Sequence, residues 1–194
     1  MVTIGSLERV TAASLSQILL AAQQEHPTPT TSKIAIIDVR DDGIHSLSPS
    51  PTPLPLHTYP NSLFRPDHIG GHIKGSQNVP SRALDAMLPT LIRQLADKET
   101  VVFHCALSQQ RGPAAALRYI RERDRLRAAR EGQGASVAAA AEGGSVGEEG
   151  KAEGKEQKVY VLDQGFVGWQ EVYGTDERLT EGYRKELWED GYWG

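Results

Sequence analysis

Residues 100–113 read TVVFHCALSQQRGP. Thr100 to His104 is a β-branched and aromatic run, the composition of a strand buried on both faces. It ends directly in Cys105. From Pro113 to about Arg127 the spacing predicts a helix. Ala116, Leu117 and Ile120 form its apolar stripe, and Arg118, Arg121, Glu122, Arg123 and Arg125 its wet face. A loop that joins a buried strand to a helix lies at the carboxyl edge of a parallel sheet, where ligands bind.

The loop itself has the parts of an oxyanion site. Backbone N–H groups from Ala106, Leu107, Ser108, Gln109, Gln110 and Arg111 can wrap inward as an anion nest. The following helix aims its positive dipole end at the same spot. Arg111 adds a planar fork that matches two oxygens of a phosphate-like group. Gly112 allows a tight turn, and Pro113 suits a first helical position because its missing N–H costs nothing there. Thiolates are favoured at helix N-termini beside cations, so Cys105 is the candidate nucleophile.

Outward from this loop, the chain alternates strand, turn and helix. Ala12 to Gln23 reads as a helix with Leu15, Ile18, Leu19 and Ala22 on one face. Thr11 is one candidate N-cap, and Ser14 with Gln17 a candidate capping box. Ile34 to Val39 is a continuous apolar run ending in the charged cluster Asp38-Val39-Arg40-Asp41-Asp42, a second buried strand. Gly70 to Ser76 is a glycine-punctuated turn. Ala83 to Leu95 reads as two short helices divided at Pro89. Val159 to Leu162 is another short buried strand. Leu179, Tyr183, Leu187 and Trp188 suggest a final amphipathic helix. The alternation predicts an α/β fold with a parallel sheet and helices on both faces.

Two segments interrupt this pattern. Residues 46–60 hold prolines at 49, 51, 53, 55 and 60, so they read as a solvated loop of polyproline character. Ser48-Pro49, Ser50-Pro51 and Thr52-Pro53 are candidate proline-directed phosphorylation sites. Residues 128–158 are dominated by Ala, Gly, Glu and Lys. They read as a disordered or loosely helical insertion within a single domain spanning residues 1–194, because Val159 to Leu162 still needs a sheet.

Composition narrows the function. A net charge of −4 gives no footprint for nucleic acid or an anionic membrane. No apolar run approaches a membrane span, and the N-terminus does not read as a signal peptide. The single cysteine excludes an internal disulfide and a cysteine zinc site. It fits the reducing environment of cytoplasm or nucleus. His68 and His72 are four apart, but Gly70 and Gly71 lie between them, so no metal is expected there.

His104-Cys105-x5-Arg111-Gly112-Pro113 resembles the signature of the rhodanese-fold dual-specificity phosphatases that activate cyclin-dependent kinases. It is equally similar to the related eukaryotic arsenate reductases. Ile37-Asp38-Val39-Arg40, Gly71 to Pro80, and Val159 to Leu162 with Gly165, Phe166 and Trp169 resemble further rhodanese blocks in the same order. The resemblance runs from about Val10 to Val172 and implies a rhodanese-like domain with a central five-stranded parallel sheet. It implies Cys105 and Arg111 as catalytic residues. Asp38, Arg40, His104 and Gly112 are expected to support the loop.

The leading expectation is a cysteine-dependent phosphatase that passes through a cysteinyl-phosphate. Ser108 is placed to assist its second step. Such an enzyme needs no cofactor and takes a phosphorylated protein or small oxyanion, as a monomer. The large cell-cycle enzymes carry glutamates directly after Cys and directly before Arg. Here Ala106 and Gln110 stand there, which leaves the general acid unassigned among Asp38, Asp41, Asp42 and Asp67. That departure keeps arsenate reduction in view, with glutathione and glutaredoxin as external reductants because no second cysteine exists to resolve Cys105. A phosphoprotein-binding module is the non-enzymatic alternative. The pairing of Cys105 with an intact Arg111 weighs against it.

Overall fold

The computed structural model describes residues 3–25, 33–41, 70–138 and 156–189. After a 3-10 turn at Ile4–Ser6, its elements in chain order are β1 (Glu8–Val10), α1 (Ala12–Glu25), β2 (Ile34–Asp38), β3 (His72–Ile73), β4 (Gln77–Asn78) and α2 (Leu84–Gln94). They continue with β5 (Thr100–His104), α3 (Arg111–Ala138), β6 (Lys158–Leu162), α4 (Gly165–Tyr173), β7 (Thr180–Glu181) and α5 (Glu186–Glu189).

The apolar runs β2, β5 and β6 form the middle of a five-stranded sheet ordered β1-β6-β5-β2-β4. Every neighbouring pair in it is parallel. Side chains alternate across the sheet. Val101 and Phe103 of β5, with Ile37 of β2, pack on one face against Leu84, Leu88 and Leu91 of α2 and Ala116 and Tyr119 of α3. Val102 and Ile36 pack on the other with Leu15 and Leu19 of α1 and Phe166 and Trp169 of α4. Each such buried Val, Leu, Ile or Phe side chain contributes about 1.5–3 kcal/mol. The parallel sheet with helices on both faces is therefore as the sequence predicts.

Several local expectations need correction. Leu84–Gln94 is one helix with Pro89 inside it, not two. Leu84, Leu88 and Leu91 form one continuous buried stripe, while Pro89 faces solvent. Packing along that stripe carries the helix past the proline. At the N-terminus of α1 it is Thr11 that caps, accepting the Ser14 N–H at 3.1 Å.

Helix α3 runs on through residues 128–138, the first part of the expected insertion. Ala, Arg and Glu there are strong helix formers. The far end of that insertion also belongs to the domain. Gln157 donates to the carbonyls of Leu95 and Lys98 at 2.7 and 2.9 Å, and accepts from Tyr119 Oη at 2.8 Å. Burial pushes the Tyr119 phenol up to about 12, so it stays a donor. The proline-rich segment 46–60, the rest of the low-complexity segment, Asp42, Asp67 and His68 lie outside the described residues.

The expected C-terminal helix shrinks to the single turn α5. Leu179 instead leads into β7, which pairs antiparallel with β3. Gly182, at φ 64, turns the chain after it. Thr180 Oγ1 accepts the Trp169 indole N–H at 3.0 Å and donates to Tyr173 O at 2.7 Å. Contacts with a distant element, rather than helical spacing, account for those apolar positions. Strand β1 and helix α4 had no expectation as such, because three residues and nine residues with two glycines carry little periodicity.

Candidate active site

Strand β5 delivers Cys105 to the carboxyl edge of the sheet, and α3 starts at Arg111. The loop between them is tied from outside by its carbonyls. Phe166 N–H donates to Cys105 O and Val167 N–H to Ala106 O, both at 2.9 Å. Arg9 Nη2 donates to Ser108 O at 3.2 Å. Ala114 N–H donates to Gln110 O at 2.9 Å, closing the first turn of α3.

In a trans peptide the carbonyl and the next N–H point opposite ways, and no peptide here is cis. Holding these carbonyls therefore turns the N–H groups of Ala106, Leu107, Gln109 and Arg111 away from those partners. The first turn of α4 and one arginine of β1 thus set the polarity of the nest.

The sulfur lies inside this ring. Cys105 is buried, with 4% of its surface exposed. Ser108 N–H donates to Cys105 Sγ at 3.2 Å, a donor placed to stabilise charge on the sulfur. Ser108 reaches that position with φ 51, in the left-handed region. Its buried hydroxyl accepts the Cys105 N–H at 3.4 Å. A Cβ on Gly112 would stand 3.2 Å from that hydroxyl and 3.4 Å from Cys105 N. Gly112 thus packs tightly against the loop. The Ser108 hydroxyl thus contacts the base of the loop.

The supporting residues meet behind the loop. Asp38 is fully buried and receives Arg40 Nη2 at 2.6 Å and Nε at 2.8 Å. Arg40 also donates to Gly71 O at 2.8 Å and lies 4.3 Å over the Phe166 ring. His104, fully buried, places Nδ1 3.4 Å from Cys105 O and 3.8 Å from Asp38 Oδ1. Val39 N–H donates to His104 O at 2.8 Å. The charged end of β2 thus contacts the exit of β5 through Asp38, Val39 and His104.

Arg111 stands at the rim, where Nη1 donates to Asp41 Oδ2 at 2.8 Å. Asp41 also accepts from the Ser81 hydroxyl at 2.9 and 3.0 Å and from Arg82 N–H at 3.4 Å. Burial alone would raise its carboxyl. The Ser81 and Arg111 donors outweigh that and hold it below the usual carboxylate range. Asp41 is therefore held ionised, and Asp38 is bound to Arg40. The structure also gives His72 a partner, Glu181 Oε2 at 3.2 Å.

Sequence reading missed Arg9, Ser81 and the loop-anchoring role of Gly165. Gly165 has φ 58, and a Cβ there would fall 2.4 Å from Ala106 O. The Gly165-Phe166 pair carried a trace of this, since glycine permits positive φ and a close approach of backbone. Nothing local in sequence links Arg9 to Ser108.

A buried cysteine that accepts the Ser108 N–H, at the carboxyl edge of a parallel sheet with Arg111 six residues on, makes this loop the candidate site. The profile of the rhodanese-like domain matches residues 19–172, and the chain belongs to that family. Its relatives include the CDC25-like phosphatase YCH1 of Saccharomyces cerevisiae, 33% identical over 63% of this chain and 72% of that protein. Arsenate reductase 2.1 of Oryza sativa subsp. japonica is 32% identical over 86% of this chain and 71% of that protein. Among solved structures, Saccharomyces cerevisiae Ygr203w is described as a homolog of single-domain rhodanese and the Cdc25 phosphatase catalytic domain. It superposes with a TM-score of 0.59 at 26% identity, covering 96% of this chain and 94% of that one.

Proposed function

We propose that this chain is a cysteine-dependent phosphatase of the protein tyrosine or dual-specificity type. The observation that carries it is the ring around Cys105: sulfur buried under the Ser108 N–H, with the loop carbonyls turned out to Phe166, Val167 and Arg9. Cys105 Sγ attacks phosphorus and the ester oxygen leaves. The inward amides and Arg111 stabilise the charge of the five-coordinate transition state. Water then hydrolyses the cysteinyl-phosphate, releasing phosphate and restoring the thiolate. The relatives named as phosphatases support this reading. No cofactor enters it.

Arsenate reduction is the second reading. Ala106 and Gln110 leave the loop without a carboxylate, and a relative named arsenate reductase aligns with 86% of the chain. Cys105 would displace a hydroxyl from As(V). One external thiol, such as glutathione, would attack that adduct to release As(III) and leave a mixed disulfide for glutaredoxin to reduce. The lone thiol supports a reducing location, cytoplasm or nucleus.

The test compares wild type with Cys105→Ser, first with an aryl phosphate and then with arsenate plus glutathione and glutaredoxin. Aryl phosphate turnover that vanishes in Cys105→Ser supports the phosphatase. Thiol-dependent arsenite production without phosphate release would move the assignment to the reductase.

A further inference from the structure

We infer that Asp41, braced by Ser81, is the positioning residue that presents Arg111 to the bound oxyanion. The inference rests on the oxyanion reading of the loop. Arg111 has 41% of its side chain exposed, so without a fixed partner it would spread over many rotamers. The loop supplies no carboxylate to select one, since Ala106 and Gln110 occupy the flanking positions. Asp41, 70 residues away in sequence, provides it.

The geometry of the contact matters. Asp41 takes Arg111 Nη1 at 2.8 Å. That leaves the parallel Nε–H and Nη2–H pair, the edge of a guanidinium that matches two oxygens of a tetrahedral anion. Asp41 is itself held by groups other than Arg111. The Ser81 hydroxyl lies 3.0 Å from Oδ1 and 2.9 Å from Oδ2, and Arg82 N–H adds a contact of 3.4 Å to Oδ1. The backbone beside it is pinned as well, because Asn78 Nδ2 donates to Arg40 O at 3.1 Å. A carboxylate contacted on both oxygens is placed to orient its arginine.

The test uses the full chain and two readouts: tungstate binding by calorimetry, and kcat and KM for an aryl phosphate. Asp41→Asn keeps the side-chain shape. It should weaken tungstate and lower kcat/KM by roughly 10- to 100-fold, the scale of a misplaced reacting group. Ser81→Ala, which leaves the charge in place, should shift both in the same direction by less. In an Arg111→Ala background both losses should vanish, because Asp41 acts only through Arg111. Unchanged or tighter tungstate binding in Asp41→Asn would overturn the inference, as would a loss that persists without Arg111. A wild type that neither binds tungstate nor turns over the ester would instead bring down the oxyanion reading itself.

Discussion

Gly165 lies directly against Ala106, so close that a Cβ on Gly165 would stand 2.4 Å from the Ala106 carbonyl oxygen. This approach lets the first N–H groups of α4 hold the carbonyls of Cys105 and Ala106. The active-site loop is therefore shaped by the helix after β6 as much as by its own sequence.

Gly165→Ala should damage stability and activity together. The residue has φ 58 and meets backbone that cannot yield like a flexible side chain. A strained conformation of this kind costs about 1–3 kcal/mol. Urea unfolding should show that loss, and kcat/KM for an aryl phosphate should fall with it as the amides of Ala106 and Leu107 turn away. Wild-type stability would show that the approach is not tight.

Arg111→Lys should lose most activity. A point charge does not replace a planar fork on two oxygens, and removing one such stabilising donor costs on the order of 100- to 1,000-fold in kcat. Steady-state kinetics on the purified variant check this. A near-normal kcat/KM would sink the assigned role.

Arg40→Ala should destabilise the fold by about 3–5 kcal/mol, the effect of stranding one member of a buried ion pair. Asp38 is fully buried and would lose the contacts at 2.6 and 2.8 Å. Gly71 O would lose its donor as well. The shift in urea midpoint at constant m-value measures it.

Asp41 should leave a mark on acid stability. Its carboxyl is lowered in the folded state, since the Ser81 and Arg111 donors outweigh a burial effect that acts upward. Its contribution is therefore fully present above the unfolded value of about 3.9, and is lost as pH falls through the lower folded value. Wild type should exceed Asp41→Asn in stability near neutrality, and the gap should narrow as pH falls below about 3.9. A gap in thermal midpoint that stays constant from pH 7 to pH 3 would contradict the linkage.

What could be read in the sequence was what local pattern encodes. The runs at Ile34, Thr100 and Val159 gave the central strands, because fully buried parallel strands are apolar on both faces. The Cys105–Arg111 loop showed its chemistry for a similar reason: nucleophile, amides, fork and helix start are consecutive. The match of helical spacing to Leu179, Tyr183 and Leu187 misled, because β3 and Gln170 take up residues that periodicity assigned to one helix.

Cys105 as the candidate nucleophile in an oxyanion loop, and the parallel sheet beneath it, were thus set by the sequence alone. Only the tertiary structure decided what holds the loop open and aims its arginine. Arg9 reaches Ser108 across 99 residues and Asp41 reaches Arg111 across 70. Contacts of that separation depend on strand order in the sheet. β1 and β2 flank the central pair β6 and β5, and no spacing along the chain records which ends will meet.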